Sequence, residues 1–255
     1  MTRCIHTASS LEDPLSIPYD EVVDALTYGD INEEIGLMRM GSNYTFLVRV
    51  RYEEKTLLGV YKPRLGERPL WDFPEGTLCQ REAAASLVAD ALEWPIVPPT
   101  VMRQGTRGEG SLQAFIDHDP ERHYFTFQVH HDEQLKRMAA FDAIVNNADR
   151  KGGHCLLDAD DHIWGIDHGL CFHAMEKLRT VIWDFAGQPI PENILSDLQK
   201  FSDLLENDQD LFLIRLNRLI APYEIKALKT RVTQLLESQT FPMPGPGPNR
   251  PWPAI

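Results

Sequence analysis

The apolar positions along this chain change their period more than once. Residues 19–28 carry a short helical stripe that Gly29 closes. Residues 31–40, 45–52 and 56–61 are short runs rich in β-branched and aromatic side chains, bounded by turn formers, and they predict three antiparallel strands. Gly41-Ser42-Asn43 joins the first two, and Glu53-Glu54-Lys55 makes the next turn. Helical spacing returns over 76–94, where Leu78, Ala83, Leu87, Ala91 and Leu92 recur until Pro95, Pro98 and Pro99 end the pattern. Residues 97–102 and 112–116 predict two further strands around a glycine-rich turn at 104–110. The polar stretch 117–134, with four histidines, predicts a loop. A helix is expected over 135–147, then two strand-like runs at 154–157 and 163–166, then helices over 193–205, 211–220 and 223–236.

Strands therefore crowd the first half and helices the second. That segregation predicts an α+β protein of two lobes, 19–116 and 117–241, with a cleft between them near the 117–134 connection. Residues 1–18, interrupted by Pro14 and Pro18, read as an irregular lead-in. The segment 242–255 holds six prolines and two glycines, cannot build a core, and is expected to be an extended or disordered tail.

Composition narrows the class of partner. Of 255 residues, 43% are hydrophobic and 25% charged, as in globular proteins, so global disorder is excluded. The net charge of −13 is poorly matched to nucleic acid or to an anionic membrane surface. No apolar run is long enough to span a bilayer, and no apolar leader follows the first residues, so neither integral membrane association nor secretion is expected. Cys4, Cys79, Cys155 and Cys171 are too dispersed for a paired metal motif or a disulfide framework, which makes a reducing cytoplasm the expected location.

The chemistry concentrates in Asn146-Asn147-Ala148-Asp149-Arg150-Lys151-Gly152-Gly153-His154 and in Trp164-Gly165-Ile166-Asp167-His168-Gly169. A single Asp in a glycine-rich loop is ordinarily a turn former. Two of them in a shared strand–turn–strand setting can do more: one carboxylate orients a hydroxyl while the other binds Mg²⁺. Upstream, Lys62 ends the third strand and Glu82 lies on the following helix, an arrangement that can aim an ammonium at phosphates. Alone, each would read as a surface charge. Gly41-Ser42-Asn43-Tyr44-Thr45 lies where a loop could cover phosphates with its N–H groups and the Ser42 hydroxyl, although by itself it reads as a hairpin turn. Lys62, Arg64, Arg68, Arg150 and Lys151 could together form a local basic face. Trp71, Trp164 and Trp183 read as packing residues. His130-His131-Asp132 superficially matches metal phosphohydrolases, but their all-helical fold disagrees with the strand-rich first half.

The ordered set GSNYTF, VYKP, REAAASLVADAL, SLQAFI, NNADRKGGH and IDHG, over roughly residues 31–173, resembles the protein-kinase-like superfamily. Its nearest likeness is the phosphatidylinositol 3-/4-kinase-like branch, and within that a little-studied bacterial family. The resemblance implies a two-lobed kinase-like fold with an antiparallel N-lobe and a mainly helical C-lobe. It implies ATP and Mg²⁺ or Mn²⁺ as cofactors, with Lys62, held by Glu82, on the ATP phosphates. Ser42 and Asn43 would lie over the phosphates, and the 111–116 strand, at Gln113 and Phe115, would be the hinge whose backbone reads adenine. Asp149 would orient or deprotonate the acceptor, and Asp167 would bind metal. The related kinases usually read D-R-H-x-x-N; here Lys151 replaces the His and His154 stands at the Asn place. His154 is left with three roles: a Mn²⁺ ligand, a cationic phosphate contact, or neither.

The expected activity is metal-assisted transfer of the ATP γ-phosphate to a hydroxyl of a small molecule or protein, in preference to a lipid. A nucleotide-binding regulator without turnover is the alternative, and a metal-dependent phosphohydrolase the third.

Overall fold

The computed structural model describes residues 4–10, 13–38, 43–127 and 130–255. Strands β3 (Asp30–Met38), β4 (Thr45–Tyr52), β5 (Lys55–Pro63), β6 (Thr100–Gly105) and β7 (Gly108–Ala114) form one antiparallel sheet in the order β3-β4-β5-β7-β6. Their alternation places Phe46, Val48, Val50, Leu57, Tyr61 and Leu112 in one buried cluster. Residues 4–18 depart from the expected lead-in. Strands β1 (Cys4–Ser10) and β2 (Asp13–Pro18) pair as a hairpin, and Ile5 and Ile17 join the sheet's core beneath helix α1 (Tyr19–Tyr28). Pro14 and Pro18 sit near the ends of β2, where a strand without a further partner tolerates them.

The glycines read as a turn at 104–110 mostly lie within strands. The reversal itself is confined to Thr106 and Arg107. A Cβ on Gly110 would come 2.4 Å from the Lys62 carbonyl oxygen, so glycine lets β7 pair closely alongside the end of β5.

Helix α2 (Leu78–Ala91) crosses behind the sheet, buried nearly all round, its Ala83-Ala84-Ala85 run permitting close approach. The second half holds a short α3 (Tyr124–Phe127) within the expected loop, then α4 (Asp132–Val145) and the hairpin β8 (Cys155–Leu157) and β9 (Ile163–Gly165). It ends in α5 (Glu192–Leu205), α6 (Leu211–Leu216) and α7 (Pro222–Ser238), packed in a second, larger hydrophobic core. The molecule is thus an α+β, two-lobed kinase-like fold. Among the described residues no helix is long and apolar enough to cross a membrane.

The 242–255 segment forms no helix or strand, yet it is tied to the body: Thr180 N and Trp183 Nε1 both donate to the Asn249 carbonyl, at 3.2 and 2.9 Å. Trp164 is buried and Trp183 half-buried, whereas Trp71 is 92% exposed with the Lys177 ammonium 5.4 Å from its ring, so packing is not its role.

Arg81 stitches the lobes together. It is 1% exposed, and from α2 it donates to the Cys171 carbonyl and, at 2.7 Å, to Glu224 on α7, itself 3% exposed. Removing one partner of such a pair leaves the other charge buried and uncompensated. Arg81→Met is therefore expected to lower unfolding free energy by roughly 3–5 kcal/mol. Urea denaturation reads the loss, and Arg81→Met with Glu224→Leu should recover much of it; an unchanged midpoint in the single variant would contradict this account of the lobe junction.

Candidate active site

Between the lobes lies a cavity of about 360 Å³, within the range of small-molecule sites. Lys62, Glu82, Asp149, His154 and Asp167 all line it, although they are scattered over more than a hundred positions of sequence. β5 delivers Lys62 at its C-terminal end, α2 delivers Glu82, and the loop after β9 delivers Asp167. Asp167 occupies the left-handed region at φ 61°, a constrained conformation that turns its carboxylate toward the cleft.

The Lys62 ammonium donates to Glu82 Oε1 and, at 2.8 Å, to Asp167 Oδ1. Burial works against its charge, but the two carboxylates outweigh it and hold the pKa above the ordinary lysine value. Asp167 is held well below the usual carboxylate range, chiefly by Lys62. Burial pushes Glu82 up. Its other oxygen accepts the His168 N–H at 2.9 Å, which fastens α2 to the Asp167 loop.

The catalytic-loop candidate is held by a second buried pair. Arg150, fully buried, donates from Nε and Nη2 to Asp142 on α4 and from Nη1 to the His154 and Ile166 carbonyls. Its Nη2 also donates to His168 Nε2 at 2.7 Å, and burial, aided by the nearby Arg150 cation, keeps that imidazole neutral. Arg150 therefore faces inward and takes no part in a basic face; its five donors are spent on holding the loops that carry Asp149 and Asp167. Asp142 was not singled out by pattern, though a carboxylate inside the apolar Phe141–Val145 run was a signal of a buried cation.

Asp149 is raised to about 6, mainly by burial, with Lys151 at 3.4 Å opposing and Asp167 reinforcing the shift. His154 is lowered to about 4 by burial, despite the nearby Asp167. Its Nδ1 lies 3.0 Å from the Asp149 carbonyl, which can only accept, so Nδ1 carries the proton and Nε2 presents a lone pair. That lone pair lies 3.4 Å from Asp167 Oδ2. These two acceptors could supply two donors to a divalent cation, although among the described residues no group of three or more metal-ligating side chains comes together.

The remaining expected contacts are mixed. Ser42 lies outside the described residues. Asn43 lines the cavity, and its side chain accepts the Arg68 N–H at 2.8 Å. Gln113 and Phe115 line the cavity too, but the Gln113 amide donates to Thr100 Oγ1 and the Phe115 N–H donates to the Leu58 carbonyl. Cys79, His118, Arg122 and His123 are further wall residues that the sequence pattern did not mark.

With this geometry in view, the likenesses to known proteins are coherent. The family model for phosphatidylinositol 3- and 4-kinases matches residues 96–211. The chain is 40% identical to Protein Rv2133c of Mycobacterium tuberculosis, over 87% of this chain and 91% of that protein. It is 28% identical to phosphatidylinositol 4-kinase gamma 4 of rice (Oryza sativa subsp. japonica) over 47% of this chain, a match that takes in 23% of the rice protein. A solved hydra Fam20 with sugar superposes at a TM-score of 0.51 and 14% identity, covering 86% of this chain and 87% of that one, a likeness of fold alone. A kinase-like two-lobed fold is the class that sheet, helices and cleft define. The chain belongs to one family with Protein Rv2133c, and the match over residues 96–211 together with the rice relative makes it phosphatidylinositol 3-/4-kinase-like, a likeness of phosphotransferase type.

The Asp149 carboxyl is expected to titrate near 6 in the metal-free protein. Lys151 favours its charged form, so Lys151→Ala should move the midpoint upward. Carbon-13 NMR of the aspartate carboxyls checks both; an Asp149 midpoint in the ordinary range near 4, or a downward move in the variant, would contradict the site's electrostatics.

Proposed function

We propose that the protein transfers the γ-phosphoryl group of ATP to a hydroxyl acceptor. The observation that carries this reading is the meeting of the Lys62 ammonium, from the sheet lobe, with Glu82 and Asp167 in one cavity shared with Asp149. Phosphoryl transfer asks a protein chiefly for positioning and for charge stabilisation. Lys62 supplies a permanent cation for the phosphate oxygens, and Glu82 fixes where it points. Asp149, raised to about 6 yet largely ionised at neutral pH, accepts a hydroxyl proton with a basicity suited to the task. Asp167 and His154 Nε2 would hold a divalent cation, which when bound supplies neutralisation of phosphate charge. Residues 19–116 serve as the nucleotide-holding lobe and 117–241 as the lobe that carries the acceptor and metal loops.

His154 at the place of the family's Asn favours a second reading, a nucleotide-binding regulator with little turnover. An imidazole is a poorer partner for Mg²⁺ than an amide oxygen, and Mn²⁺ accepts an imidazole more readily than Mg²⁺ does. The first reading predicts activity that prefers Mn²⁺, and a His154→Asn variant whose preference moves toward Mg²⁺.

Labelled ATP tests these readings. Asp149→Ala is expected to lower transfer by roughly 100-fold or more while leaving ATP affinity nearly unchanged. Asp167→Ala should weaken ATP binding only when metal is present. Transfer undiminished in Asp149→Ala would overturn the role assigned to that carboxylate, and ATP binding without turnover under either metal would favour the regulator.

A further inference from the structure

The acceptor side of the cavity has a wall that no kinase-like motif supplies. The Asn249 carbonyl anchors one end of the 249–255 segment on Thr180 and Trp183. Pro251 is buried. At the other end the Ala254 carbonyl accepts the Gly152 N–H at 2.7 Å, only three residues beyond Asp149. Ile255 then lines the same cavity as Asp149, Lys151, Gly153, Arg122 and His123.

The loop beneath is closed on its other flank as well. A Cβ on Gly152 would come 2.7 Å from the Phe125 ring, so the glycine backbone is held between α3 and the tail. An extended peptide laid across this loop would find its surface covered and its N–H already bonded. Residues 241–255 contain no Ser, Thr or Tyr, so the wall itself offers no hydroxyl to phosphorylate.

Resting on the phosphotransferase reading, we propose that the 249–255 segment is a fixed acceptor-side wall that excludes protein chains and restricts the enzyme to small hydroxyl compounds. The exclusion works by occupation: specificity comes from what the wall blocks as much as from what the cavity contacts.

The test compares the full chain with a chain ending at Asn249, and with Ile255→Gly, which opens the wall while leaving the anchors in place should the truncation fail to fold. Three quantities are read: ATP affinity by calorimetry with Mn²⁺, exchange of the Gly152 amide with deuterium, and transfer of labelled phosphate to casein and histone. The proposal expects similar ATP affinity in all three proteins, a protected Gly152 amide only where residue 254 is present, and protein labelling raised at least about tenfold by truncation. Ile255→Gly should gain part of that labelling. Labelling of casein by the full chain, or none by either altered protein, would overturn the proposal. An unprotected Gly152 amide in the full chain would refute the wall itself, whereas a protected amide without ATP binding would refute the phosphotransferase reading on which it rests.

Discussion

One desolvated ammonium organises the cleft. Lys62 ends a strand of the sheet lobe, and its burial demands negative charge close by. Glu82 on α2 and Asp167 from the opposite lobe supply it. Satisfying that charge fixes the distance between α2 and β5, and the approach of the Asp167 loop to both. It also leaves the ammonium at the head of a cavity, where a more highly charged anion could share it. On the proposed function, the stabilising contact and the chemical one are the same contact.

A second buried cation extends the same logic into the helical lobe. Arg150 is adjacent to Asp149 but turned away from the cleft, onto Asp142. Through the carbonyls of His154 and Ile166 and the ring of His168, it holds both loops that carry carboxylates into the cavity. His168 in turn gives its N–H to Glu82, so the two cation networks are continuous across the cleft. Displacing either cation would be felt at both aspartates.

Much of this was legible in the residues, for identifiable reasons. Period-2 and period-3.6 patterns report which face a segment buries, and they located β4, α2 and the three C-terminal helices within a few residues. The ordered set Lys62, Glu82, Asp149 and Asp167 marked residues that line one cavity, but not its other charged walls such as Glu67 and Arg122. What pattern could not report was contact between distant segments. The β1–β2 hairpin was hidden by prolines that edge positions tolerate, and Gly110 looked like a turn although it exists to clear the Lys62 carbonyl. Arg150 looked like part of a basic face because its partner, Asp142, sits within an apolar helix. The 242–255 segment has a composition that forms no core of its own, and nothing in that composition states that a core elsewhere will bind it.

The central claim is that Lys62, Asp167 and His154 converge on one nucleotide–metal complex beside Asp149. A crystal structure with a non-hydrolysable ATP analogue and Mn²⁺ tests it most directly. The account predicts phosphate oxygens within hydrogen-bonding reach of the Lys62 ammonium, and an anomalous Mn²⁺ signal bonded to Asp167 and His154 Nε2. A nucleotide bound elsewhere, or a cavity that stays empty while Lys62 remains locked between its two carboxylates, would contradict it.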